Sequence, residues 1–325
     1  MTDSTHDEPR RVLGVSAAGP ELTDDAYVSL FSLLVRARLV GERLDALAEA
    51  GTIGFAPTAL GDEAALLGAA SALEPGDWVF PTHRDAVIGL ARGVSVTALF
   101  EQAVGAGTTR GRATPGSVSD KAARVVAAGA PTAAHAAHAV GLAYAAKRDG
   151  AVVLVTLTEP MLEAGELHSA LNFAGVMRAP VVFLARATGE VSPSAADRAV
   201  AYGLASARVD ATDALAMRAV VRDARAHAAS GAGAVIVEAT GRGATDGGAD
   251  DPVARLAAHL AGRAGLSDRL TALRTEERRA VDDAVTTATR LAPATAITAF
   301  DDVFATPPWH LIEQRDAAAR SSTRN

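Results

Sequence analysis

The stretch that most constrains this chain runs through residues 151–192, AVVLVTLTEPMLEAGELHSALNFAGVMRAPVVFLARATGEVS. It opens on an apolar run, 152–157, rich in β-branched side chains, and breaks at Thr158-Glu159-Pro160. Leu167, Ala170, Leu171 and Ala174 then recur at helical spacing, in a helix expected over roughly 162–176. A second apolar run, 180–185, closes the unit. Strand, loop, helix, strand is a βαβ unit. Strands that are apolar nearly throughout have both faces covered, which points to a parallel sheet between helices. Ligands of such sheets sit beyond the carboxyl ends of the strands. Two loops therefore hold the interest, 158–163 and 186–192.

The remainder supplies the expected surroundings. A long helix is expected over 24–50, capped by Thr23 or Asp24 and ended by Gly51. A second starts near Asp62 and Glu63, acids favoured at a helix N-terminus. Short strands are expected at 78–81, around Val209 and at 234–239, with helices at 132–147 and from an Asp213 cap to about 229. Residues 241–248 form a glycine-rich loop, and 266–291 contain a long charged helix. The fold class is α/β, a doubly wound, mostly parallel sheet flanked by helices with helical N- and C-terminal extensions. Residues 1–22 read as a disordered or extended tail, 23–252 as the α/β domain and 253–325 as a helical extension packed on it.

Composition narrows the function classes. The chain has 325 residues, 49% hydrophobic and 21% charged, enough for a sizeable core. Lysine plus arginine minus the acids gives 31 − 38 = −7, which argues against general nucleic-acid or anionic-membrane binding. Cysteine is absent, so disulfides, thiolate catalysis and cysteine zinc sites are excluded. No signal-peptide core or membrane-length apolar run is visible, and a cytoplasmic location is expected. No G-x-G-x-x-G, Walker A, G-x-S-x-G or H-E-x-x-H motif occurs.

GELHSALNFAGVMRAPVVF, the run from RARLVGERLD to AVIGLARGV, AVGLAYAAK, Ala201-Tyr202-Gly203, Arg208-Val209-Asp210 and DDVFATPPWHLIEQRD carry a resemblance. Over roughly 22–315 the chain resembles the alpha subunit of the thiamine-diphosphate-dependent first component of 2-oxo acid dehydrogenases, of the pyruvate and branched-chain type. The resemblance implies a thiamine-diphosphate-binding fold, thiamine diphosphate and magnesium as cofactors, a beta-subunit partner or self-association about a two-fold axis, and oxidative decarboxylation of a 2-oxo acid with transfer to lipoamide.

At the rim the residues depart from that pattern. The family reads Gly-Asp-Gly or Gly-Glu-Gly in the first loop and Asn-Asn in the second, together holding magnesium and the cofactor's diphosphate. Here these positions read Thr158-Glu159-Pro160 and Ala187-Thr188. Glu159 keeps a carboxylate, Pro160 has no N–H to offer a phosphate, and Thr188 offers a hydroxyl where asparagine offers a carbonyl. The resemblance implies Glu159 and Thr188 as metal ligands, and His83, Arg84, Thr158, Glu159, Pro160 and Arg186 as the cofactor-binding set. Arg84 has a second reading, as a surface salt bridge. Arg186 is expected either to pair with Glu159, its fixed cation filling the metal's place, or to point to solvent. The family's active-site histidines fall on Ser117 and on Thr245 or Asp246, so no catalytic residue is assigned. His135 and His138, one helical turn apart, read as a metal pair or as histidines at a helix end or subunit contact. Two functions stand: an alpha subunit with weakened or lost cofactor binding, or a non-catalytic subunit that scaffolds or regulates a beta subunit or an active homologue.

Overall fold

In the computed structural model the apolar runs lie side by side in one parallel sheet; the structure describes residues 22–105, 118–127, 132–187, 193–263, 265–291, 296–300 and 304–322. The expected tail, 1–22, falls outside them except for Leu22. The chain enters through α1 (Asp24–Glu49) and α2 (Glu63–Ala70), then β1 (Trp78–Phe80), α3 (Val96–Ala103) and α4 (Ala134–Ala146). β2 (Val153–Thr158), α5 (Gly165–Met177) and β3 (Val181–Ala187) form the βαβ unit. Next come the short α6 (Ala195–Ala199), β4 (Ala205–Asp210), α7 (Ala214–Ala229) and β5 (Val235–Thr240). α8 (Pro252–Ala261), α9 (Leu266–Thr289) and α10 (Trp309–Ser322) complete the chain. Strand order is β1-β2-β3-β5-β4, every neighbouring pair parallel.

Alternate residues of each strand serve opposite faces. Val153, Val155 and Leu157 of β2, with Val181, Phe183 and Ala185 of β3, pack with apolar residues of α4, α5 and α6. Leu154, Val182 and Leu184 pack with α1, α2, α7 and α8. Apolar side chains on both faces explain the near-continuous hydrophobic runs. Alanines buried on α4 and α5, among them Ala139, Ala143, Ala170 and Ala174, let these helices pack closely on each other.

Caps set the helix starts. Thr23 Oγ1 accepts from the Ala26 N–H at the head of α1, and Asp213 and Asp251 cap α7 and α8. The largest difference from the expected boundaries lies after β2. β2 continues through Thr158, and Glu159-Pro160 then open a 3-10 turn, Glu159–Glu163, so α5 starts at Gly165. Thr158 stays in the ladder because it is β-branched and has a register partner on β3. Proline presets φ for the turn's first residues. No helix of the described residues is long and apolar enough to cross a membrane.

Candidate functional site at the strand ends

β1, β2 and β3 end at the same edge of the sheet, and their register decides which side chains meet there. Thr158 lies opposite Arg186. Counting along the strands, Thr156, Thr158 and Arg186 fall on the face of Leu154 and Leu184, the side of α1 and α2. Arg186 is 5% exposed and turns toward the start of α2. Its Nη1 donates to Asp62 Oδ2 at 2.5 Å and its Nη2 to Asp85 Oδ1 at 2.6 Å.

Asp85 is fully buried just beyond β1 and is held by hydroxyls as well. Thr82 Oγ1 and Thr156 Oγ1 both donate to its Oδ2, at 2.7 and 2.5 Å. The Thr82 N–H in turn donates to Thr156 Oγ1 at 2.9 Å. A buried carboxylate with one guanidinium and two hydroxyl donors is well satisfied. Asp62 is less so: burial pushes its carboxyl above the usual range, Arg186 opposes this, and the Asp85 charge adds to the rise. One guanidinium thus serves two carboxylates, and its Nε–H, buried, has no partner among the described residues.

The expected pairing of Arg186 with Glu159 gives way to this arrangement. In parallel register Thr158 faces Arg186, and Glu159 comes one residue later, already in the 3-10 turn. A one-residue offset sends a side chain to the other face. Arg186 is buried, so the solvent-facing alternative fails as well. Glu159 is partly exposed and Pro160 exposed.

His83 and Arg84 flank Phe55: the His83 ring lies 6.0 Å from the Phe55 ring, and the Arg84 guanidinium sits 5.1 Å over it. Arg84 is exposed and makes this cation–π contact. Burial, then the Arg84 charge, holds His83 below its ordinary value, and its buried Nδ1 has no partner among the described residues. His135 is buried at the start of α4, with Nδ1 3.1 Å from the Thr132 carbonyl and Nε2 3.0 Å from that of Thr156. Both ring nitrogens are engaged with the backbone, which removes the metal-pair reading and leaves a histidine that ties α4 to β2. His138 is exposed. Thr245 and Asp246 stand on an exposed loop, where Asp246 Oδ1 accepts from the Gly248 N–H at 2.8 Å. Ser117 and Thr188 lie outside the described residues.

That loop is stitched to both neighbours. The Gly241 N–H donates to the Ala187 carbonyl at the end of β3, and the Gly243 N–H to the Gly61 carbonyl before α2, each at 3.0 Å. Gly61 has φ +85°, and a Cβ there would stand 2.3 Å from the Gly243 carbonyl oxygen. Glycine is required on both counts.

The fit of a magnesium–diphosphate group can be judged from these contacts. Two guanidinium nitrogens of Arg186 are committed to internal carboxylates, Pro160 lacks an N–H, and among the described residues no trio of histidine, aspartate and glutamate gathers as a metal site. The described residues do not form a cradle for that group. Asp62, Asp85 and Thr156 are the site residues that sequence reasoning missed. Asp62 was visible as a helix-start acid, but only the tertiary approach of α2 to β3 makes it the partner of Arg186.

Comparison with known proteins gives a consistent picture. Residues 33–242 match the family model described as Dehydrogenase E1 component. The chain is 30% identical over 246 residues to 2-oxoisovalerate dehydrogenase subunit alpha of Bacillus subtilis (strain 168), covering 71% of this chain and 74% of that protein. It is 31% identical over 250 residues to 3-methyl-2-oxobutanoate dehydrogenase subunit alpha of Mycobacterium tuberculosis (strain ATCC 25618 / H37Rv), covering 71% and 65%. To pyruvate dehydrogenase E1 component subunit alpha of Staphylococcus aureus (strain COL) it is 30% identical over 232 residues, covering 67% and 60%. The matched span contains all five strands and every member of the Arg186 cluster.

Proposed function

From the premise that this chain belongs to the dehydrogenase E1 component family, among relatives that are alpha subunits of 2-oxo acid dehydrogenases, we propose that it acts as such a subunit with a weakened hold on its cofactor. The family implies dependence on thiamine diphosphate. The observation that carries the weakening is the state of Arg186, buried at the ends of β2 and β3. Its charge is already balanced by Asp62 and Asp85, so an incoming diphosphate must compete with two internal carboxylates.

Calorimetric titration of the purified chain with thiamine diphosphate and magnesium tests this. Weak or absent heat is expected, and micromolar binding by the chain alone overturns the reading. Asp62→Asn removes one competitor and is expected to raise affinity for inorganic pyrophosphate.

A second reading has its own support. Phe173, Val176 and Met177 of α5 are 51%, 77% and 38% exposed, and Val200 is 79% exposed. A large exposed apolar set of this kind favours a protein partner, either a beta subunit or a second copy related by a two-fold axis. Such a subunit would scaffold or regulate without turning over substrate. Light scattering that returns a monomer, with and without a beta subunit, counts against it.

A further inference from the structure

A cleft of about 450 Å³ opens between α1, α8, α9 and the loop that precedes α8, a volume in the range of small-molecule sites. Its floor is apolar, with Val35 and Leu39 from α1 and Val253 and Ala257 from α8. Arg274 and Arg278 of α9 form one wall. They stand one turn apart, which puts both guanidiniums on the same face of the helix.

Among the described residues these two arginines are unspent. Arg274 lies 5.3 Å over the ring of Phe31, and among the described residues neither arginine has an ion-pair partner. Three acids of α9 are engaged elsewhere: Glu277 with Arg36, Asp282 with Arg43 and Asp283 with Arg279. Arg38, which also lines the cleft, is not available, because Nε donates to Glu63 and Nη1 and Nη2 to Asp251.

Charge and shape then specify a ligand. Arg38 and Asp251 are tied to each other and to Glu63, so the cleft offers a ligand the guanidiniums of Arg274 and Arg278 beside one exposed acid, Glu42. Paired guanidinium forks match a carboxylate. The apolar floor calls for a ligand with an aliphatic body, and the Thr245 hydroxyl at the rim can donate a further hydrogen bond. We propose that this cleft binds a small aliphatic carboxylate, headgroup on Arg274 and Arg278 and body on the α1–α8 floor. The proposal does not depend on the cofactor reading, because none of these residues belongs to the Arg186 cluster.

The test is calorimetry on the full chain with isocaproate as probe. Saturable binding is expected, weakened by about tenfold or more when Arg274→Ala and Arg278→Ala are combined. Both side chains are exposed, so the variant should stay folded; a thermal melt checks this, and Arg278→Gln alone gives a second, milder loss. Ala257→Trp, which fills the floor, should abolish binding with both arginines in place. Isohexanol, the same body without the charge, and inorganic phosphate should bind far more weakly. Absence of isocaproate binding, undiminished binding in the double variant, or equal binding of isohexanol or phosphate overturns the proposal.

Discussion

Among the described residues two buried arginines each hold two carboxylates, and they do so differently. Arg38 on α1 serves Glu63 and Asp251, and Arg186 on β3 serves Asp62 and Asp85. In the Arg38 cluster all three guanidinium nitrogens donate, and the leftover polar atom is a carboxylate oxygen, Glu63 Oε2. In the Arg186 cluster the leftover is a donor, Nε. Asp251 also caps α8, and the hydrogen bonds of Arg38 and of backbone N–H groups, set against burial, hold its carboxyl below the usual range, while Asp62 is held above it. The Arg38 cluster is a lock between α1, α2 and α8. The Arg186 cluster is a lock with an unused donor and an uncomfortable carboxylate, at the edge of the sheet where ligands of this architecture bind.

The comparison can be broken by mutation. Arg38→Ala leaves two buried carboxylates uncompensated and is expected to cost about 3–5 kcal/mol, read by urea unfolding. A loss under about 1 kcal/mol would mean that the cluster is not holding the helices together. Arg186→Ala should cost less, about 2–3 kcal/mol, because Asp62 is partly exposed and takes up a proton readily. If the two variants lose equal stability, the distinction between the clusters fails.

Gly61→Ala acts through the backbone that precedes both acids of α2. A positive φ and a 2.3 Å approach to the Gly243 carbonyl predict about 1–3 kcal/mol of destabilisation. If the Gly61 backbone fixes α2 as argued, the loop amides should exchange faster as well, which hydrogen exchange can read.

The smallest effect is a pH slope. His83 binds its proton less readily folded than unfolded, because of burial and then Arg84. The unfolded chain therefore holds more protons between the lowered folded value and the ordinary 6.5, and stability rises with pH across that window. His83→Gln should flatten the slope there, while Asp62→Asn should leave it in place. A slope insensitive to His83→Gln would assign it to another group.

Much of the framework was legible in the sequence because it depends on local rules. Apolar runs of strand length, an intervening helical period and caps at Thr23 and Asp213 gave the βαβ unit and the helices to within a few residues. Hydrophobic spacing sets the start of α5 three residues early, because Pro160 seeds a 3-10 turn that the spacing does not reveal. The partner of Arg186 was not legible. Choosing between Glu159 and Asp62 or Asp85 requires the strand register, which puts Thr158 opposite Arg186, and the position of α2, which lies more than a hundred residues away in the chain. His135 shows the same limit, since the Thr156 carbonyl that satisfies it belongs to another element.

All eight residues of α2 are buried, so no wet side exists to tell the helix how to sit. Its orientation comes from its first acids. Asp62 and Glu63 are adjacent, leave the axis about 100° apart, and meet different guanidiniums. They act as a keyway that fixes the angular setting of an otherwise featureless shaft. Any rotation of α2 would have to undo both couplings together, so the strand-end site and the α1–α8 junction are mechanically geared to one another.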